Sequence, residues 1–273
     1  MKKELLQETT HFLLLCGSSF FFAKREKTDM EKKSWNQEDI LYEDDQILVC
    51  RKHAGMAVQS ARIGQMDMES ALKNYRNGDF VGVVQRLDQP VEGVLVFGKT
   101  PRATAELNCQ HQNGKMKKKY LAVYTKNPVK GNTDEKEEHR NFNEEKENTV
   151  CLEDILLKDG KTNTSRVVKK GTPQGKQAVL FYQVIEEEKD TGLAEVTLQT
   201  GRHHQIRVQM AYHGMPLWGD GKYNPHIREE ERGTAIGLCA YKLEFFHPKT
   251  GKKLQFQIKP EGEVFEKFKK LAV

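Results

Sequence analysis

The sequence has no C-x-x-C pair, and its five cysteines, Cys16, Cys50, Cys109, Cys151 and Cys239, are scattered and odd in number. That usage implies no disulfide framework. No H-E-x-x-H pattern links the nine histidines, and neighbours such as His203 and His204 would point apart on a helix, so no metal site is expected. A G-x-x-x-x-G-K-[ST] phosphate loop, a G-x-G-x-x-G fingerprint after a strand and a G-x-S-x-G elbow are all missing, which sets aside three common enzyme classes. Long apolar runs are missing too. Phe12-Leu13-Leu14-Leu15 and Phe20-Phe21-Phe22-Ala23 are split by Cys16-Gly17-Ser18-Ser19, and neither patch spans a bilayer. Glu4 and Glu8 near the front, with no clear cleavage site, do not suit a signal peptide. A cytoplasmic protein with no membrane partner is expected, in which residues 1–35 form a poorly structured N-terminal extension.

What is present is a chain of 273 residues, 37% apolar and 30% charged, with a net charge of +5. It can bury a sizeable core, and its mildly basic balance is compatible with a polyanionic partner. Ile40-Leu41-Tyr42 and Ile47-Leu48-Val49-Cys50 flank the polar Glu43-Asp44-Asp45-Gln46, a hairpin pattern. Two apolar runs, Val81 to Val84 and Val94 to Phe97, bracket the polar loop Gln85-Arg86-Leu87-Asp88-Gln89-Pro90. Thr100 and Pro101 then offer a cap and a first-turn proline for a helix that Gly114 ends. Tyr120-Leu121-Ala122-Val123-Tyr124 reads as a strand, and so does the clean alternation of Ala194, Val196 and Leu198 with Glu195, Thr197 and Gln199.

After the turn Thr200-Gly201-Arg202, Ile206 and Met210 fit a helix closed by Gly214 and Pro216. Residues 131–149, rich in Glu and Lys with Phe142 their one large aromatic, are expected to form a solvated loop or insertion. Leu254, Phe256 and Ile258 predict a C-terminal hairpin strand. Val264, Phe265, Phe268 and Leu271 recur at helical spacing in a final amphipathic segment. Strands dominate and βαβ alternation is not sustained, so the class is α+β with a mixed or mostly antiparallel sheet.

Three places carry chemistry, each with two readings. Asp88 is either a turn-former beside Pro90 or a carboxylate nucleophile presented next to Arg86. Arg202, His203, His204 and Arg207 are either a solvated basic turn or a phosphate dock at a helix start. Arg207 lies beside apolar positions, and a cation near the core wants a carboxylate partner. Tyr120, after Lys117, Lys118 and Lys119, is either a core aromatic or a face on which an extruded base stacks.

These segments, in this order, resemble the RluA family of pseudouridine synthases over residues 37–270. The resemblance rests on Lys52-His53-Ala54-Gly55-Met56, on Gln85-Arg86-Leu87-Asp88 through Gly93 (family pattern H-R-L-D-x-x-T-S-G) and on Lys118-Lys119-Tyr120 (K-x-Y). It rests also on Thr200-Gly201-Arg202-His203-His204-Gln205-Ile206-Arg207-Val208 with Gly214 through Asp220, and on Phe246-His247-Pro248-Lys249-Thr250-Gly251. It implies a mixed, mostly antiparallel bifurcated sheet with flanking helices and loops, and a catalytic domain over residues 36–273. It further implies isomerisation of uridine in ribosomal or transfer RNA by a monomer with no cofactor. Asp88 would be the nucleophile, Arg207 would pair with it, and Tyr120 would lie against the base. Arg86 would fill the gap left by the flipped nucleotide, with Lys118, Arg202, His204 and Gln205 also on the RNA. Gln85 stands where the family has His, and Val91-Glu92 where it has Thr-Ser. Those departures motivate the alternative of a non-catalytic RNA-binding or RNA-folding protein that keeps the cleft. A third reading is an interaction protein that uses the charged segment 131–149.

Overall fold

Among the described residues, alternating β-branched and aromatic positions give twelve strands, and three segments keep an apolar face at helical spacing long enough to form α-helices. The computed structural model describes residues 35–60, 64–126, 140–142, 149–231 and 235–271. The extension expected over residues 1–35 therefore lies, apart from Trp35, outside the described residues. In chain order the elements are β1 (Ile40–Glu43), β2 (Ile47–Lys52), α1 (Met68–Tyr75), β3 (Gly82–Val83), β4 (Glu92–Gly98) and α2 (Pro101–Gln112). There follow β5 (Lys117–Thr125), β6 (Arg140–Phe142), β7 (Val150–Asp159), β8 (Thr164–Val168), β9 (Lys176–Glu187) and β10 (Thr191–Leu198). The last are α3 (Gln205–Tyr212), β11 (Leu238–Phe246) and β12 (Lys253–Gln257).

The strands pair in the order β1-β2-β4-β11-β5-β10-β9-β7-β6. Every pairing is antiparallel except that of β4 with β11. The sheet forks there. β11 pairs with Glu92 and Gly93 at the start of β4, while β3 pairs with Phe97 and Gly98 at its end. β11 in turn leaves β4 after Ala240 and continues beside β12. The expected α+β class with a mixed, mostly antiparallel bifurcated sheet is what the chain adopts. The fork requires a glycine: a Cβ on Gly93 would lie 2.5 Å from the Ala240 Cβ and 2.9 Å from Leu87 Cδ1.

The two faces of β5 separate the core into layers, because successive side chains point to opposite sides. Leu121 and Val123 pack with Leu107 of α2 and with Val264, Phe265 and Phe268. Tyr120, Ala122 and Tyr124 share a cluster with Met68 and Leu72 of α1 and with Ile206 and Met210 of α3. The strand register thus puts Tyr120 on the same side of the sheet as α3.

Local chemistry explains most boundaries. The Thr100 hydroxyl accepts from the Ala103 N–H, with Pro101 in the first turn of α2. Two expectations need correction. The charged stretch 131–149 is not wholly a loop, because Arg140–Phe142 pairs as β6 along β7. Strand addition uses backbone groups, so a charge-rich segment can still extend an edge. The rest of that stretch, apart from residue 149, lies outside the described residues. The C-terminal amphipathic segment buries Val264, Phe265 and Phe268, yet it makes only a 3-10 turn at Glu263–Phe265 and successive i to i+3 backbone bonds. A segment that short relies on packing rather than helix propagation.

Candidate active site

The loop between β3 and β4 carries Asp88, and its rigidity comes from behind. Lys52, wholly buried at the end of β2, donates to the carbonyls of His53 (3.0 Å), Gln89 (3.1 Å) and Val91 (2.6 Å). The Gly55 N–H donates to the Gln89 carbonyl at 2.8 Å, and the Gln89 amide returns a bond to the Gly55 carbonyl at 2.9 Å. The Asp88 carbonyl itself closes a turn with the Val91 N–H. Burial pushes the Lys52 ammonium down to about 7, against the pull of Asp88 and Glu92.

Asp88 retains 29% side-chain exposure, so the loop presents it to solvent. Arg207 of α3, at 3%, donates from Nη1 to Asp88 Oδ2 at 3.1 Å. Its Nε and Nη2 make a bidentate pair with the wholly buried Asp220, both at 2.8 Å. Burial works against the Arg207 charge, but Asp220 and Asp88 together raise its pKa above the ordinary value. The carboxylate partner that the sequence required for Arg207 is thus two carboxylates. Asp220 fixes the guanidinium and Asp88 takes its open edge. The Tyr120 phenol is buried, and that burial, with the nearby Asp88 carboxylate, raises its pKa, so it stays protonated.

The turn from β10 into α3 divides its side chains. Arg202 is exposed and donates from Nε to the Gln177 carbonyl at 2.8 Å. His204 and Gln205, expected on the RNA-facing side, are buried. Gln205 holds the turn together, because its Oε1 accepts from the Thr200 hydroxyl and the Arg202 N–H while its Nε2 donates to the Val179 carbonyl. His204 adopts a left-handed backbone (φ 53°), and its Nε2 lies 3.5 Å from Asp88 Oδ2. Burial pushes the His204 ring down to about 4, with Asp88 pulling up and Arg207 pushing down, so this part of the basic turn is neutral. Arg86 is exposed, and among the described residues nothing bonds its guanidinium. Lys118 is partly exposed, yet its surroundings desolvate it enough to push it down to about 7.

The departures from the family pattern are accommodated inside the protein. Gln85 is buried against Met116. Val91 joins the core, and the Glu92 carboxylate accepts from the Glu261 and Gly262 N–H groups. Sequence reasoning assigns no role to Lys52, Asp220 or Tyr223. The signal for Asp220 was present, since a buried arginine needs more carboxylate than one half-exposed Asp88 supplies.

Comparisons with known proteins agree with this architecture. The chain has the fold of Human RNA Pseudouridylate Synthase Domain Containing 1, with a TM-score of 0.62 at 18% identity over 81% of this chain and 83% of that one. Residues 46–212 match the model of the family described as RNA pseudouridylate synthase, to which the chain belongs. It is 34% identical over 227 residues to the Bacillus subtilis (strain 168) protein named Uncharacterized RNA pseudouridine synthase YlyB, covering 80% of this chain and 68% of the relative. It is 29% identical to Ribosomal large subunit pseudouridine synthase C of Pasteurella multocida (strain Pm70), covering 87% and 69%.

Proposed function

We propose that residues 36–273 isomerise specific uridines of structured RNA to pseudouridine, with Asp88 as the nucleophile, acting as a monomer in the cytoplasm without an external cofactor. The N1–C1′ glycosidic bond breaks, the detached uracil turns, and C5 bonds to C1′. The C5 proton is lost and N1 regains one, so the product is an isomer of the substrate. Asp88 assists by attacking the ribose or by taking its C2′ proton. Tyr120 keeps its proton and lies against the base, which packs on its ring. Arg207 aims the carboxylate. Arg86 replaces the flipped nucleotide in the RNA stack, and Arg202 and Lys118 contact its backbone.

The observation that carries this reading is the half-exposed Asp88 carboxylate held at 3.1 Å by a buried arginine that is itself locked by Asp220. Relatives named ribosomal large subunit pseudouridine synthases C and D favour large-subunit ribosomal RNA over transfer RNA as the target. The test is to map pseudouridine in ribosomal and transfer RNA from cells carrying the native chain or Asp88→Asn. At least one ribosomal uridine is expected to lose its modification in the variant. Retention of every pseudouridine would reject Asp88 as nucleophile and favour the RNA-folding alternative, and loss confined to transfer RNA would overturn the choice of target.

A further inference from the structure

Behind Asp88 lies a chain of polar contacts that runs from Ser165 through Tyr223 to His204. The Tyr223 hydroxyl accepts from the Ser165 backbone N–H at 2.8 Å and lies 2.7 Å from His204 Nδ1. A backbone N–H can only donate, which leaves the phenolic proton available to His204 Nδ1. The ring is neutral, because burial pushes its pKa to about 4. With Nδ1 accepting, the ring's single proton would sit on Nε2, which lies 3.5 Å from Asp88 Oδ2.

The same oxygen takes Arg207 Nη1 at 3.1 Å. Both partners of Asp88 thus meet Oδ2, and among the described residues no hydrogen bond reaches Oδ1. Tyr223 touches each of those partners in a different way, through its hydroxyl to His204 and through its ring face to the Arg207 guanidinium, 5.2 Å from the centroid. The His204 ring is further clamped by His203, stacked at 3.8 Å, and by the Tyr223 ring edge at 5.6 Å. His203 is tied to Ser165 Oγ at 2.9 Å and to Asn163 Oδ1 at 3.1 Å. So the β7–β8 hairpin braces the turn that carries His204. A left-handed backbone is unfavourable for a histidine relative to an ordinary conformation. Such a conformation persists where the surroundings over-determine it, as these contacts do.

We propose that Tyr223 is a positioning residue for the reaction: its hydroxyl fixes His204 as the Nε2–H tautomer, so that His204 and Arg207 together hold Asp88 Oδ2 and leave Oδ1 as the oxygen that meets the nucleotide. The proposal rests on the reading of Asp88 as nucleophile. Tyr223→Phe is the sharp variant because it keeps the ring beneath Arg207 and removes only the hydroxyl. A kcat about tenfold lower with KM and RNA affinity near native is expected, the pattern of an interaction that acts on the reacting geometry rather than on binding.

The second measurement is spectroscopic and uses the native protein. Histidine ring 15N shifts, with His204 assigned by its loss in His204→Gln, should show a protonated Nε2 and a bare Nδ1. In Tyr223→Phe the two tautomers should mix. A proton on Nδ1 in the native protein, or a native kcat in Tyr223→Phe, overturns the proposal. If the variant does not fold, the native tautomer alone decides. Asp88→Asn, measured alongside, separates the two readings. If it is active, the nucleophile assignment fails; if it is inactive while Tyr223→Phe is native-like, only the positioning role does.

Discussion

Lys52 shows what a single side chain contributes when it has no water around it. Its ammonium is enclosed by three carbonyls, two of them belonging to the loop that presents Asp88. Burial lowers its pKa to about 7 from 10.5. Below pH 7 both folded and unfolded chains hold the proton, and the folded state bears the full desolvation cost. Between 7 and 10.5 the unfolded state binds more protons, so this residue makes the fold more stable as pH rises. Urea unfolding at pH 7 and pH 9 should give the native protein about 1–3 kcal/mol more gain across that window than Lys52→Met shows. Equal pH dependence in the two proteins would mean that Lys52 does not titrate there.

At this scale motif order singled out Asp88, Tyr120 and Arg207, and the fold brings Asp88 and Arg207 to 3.1 Å of each other. Motif order did not show Lys52, Asp220 or Tyr223, since each acts on a partner far away in the chain. Lys52 binds the carbonyl of Gln89, and Tyr223 binds the Ser165 N–H, pairings that no local spacing encodes. The basic turn was legible as a turn and misleading as a charge. Burial strips the charge from His204, and burial is a property of the fold rather than of the residue.

Among the elements, those with local signals were read correctly. The first hairpin, the capped helix α2, the alternating strand β10 and the short helix α3 each announced themselves by caps, period or turn residues. Helix α1 was passed over although Asp67 caps it and Met68, Ala71 and Leu72 line its buried side. The wing β7, β8 and β9 was missed too, because polar residues interrupt its apolar ones on an exposed part of the sheet. The fork at β4 is set by long-range packing, with Gly93 at the crossing. Gly93→Ala would drive a Cβ into Ala240 and Leu87. A stability loss of about 1–3 kcal/mol is expected, measured by thermal or urea unfolding. Leu87 precedes Asp88, so modification activity should fall further than the unfolded fraction explains. An unchanged midpoint would show that the strands part freely at this point.

For the whole molecule, the charge balance of +5 makes RNA association an electrostatic problem, while the cleft decides what happens after contact. Arg202 and Arg86 both stand exposed, but their proposed tasks differ. Arg202 is anchored through Nε to the Gln177 carbonyl, which leaves the rest of its guanidinium for phosphate. Arg86, unbonded among the described residues, is free to stack where a nucleotide has left the helix. Replacing a phosphate contact releases one fewer counterion, so Arg202→Ala should flatten the plot of log affinity against log salt by about 0.7–0.9. Arg86→Ala should leave that slope closer to native and lower kcat instead, since a base that is not replaced in the stack returns to it. Binding by fluorescence anisotropy at several salt concentrations, paired with single-turnover modification of a structured RNA, measures both. If the two variants change slope and rate alike, the separation of anchoring from base replacement is wrong, and the cleft mouth works as one undivided basic surface.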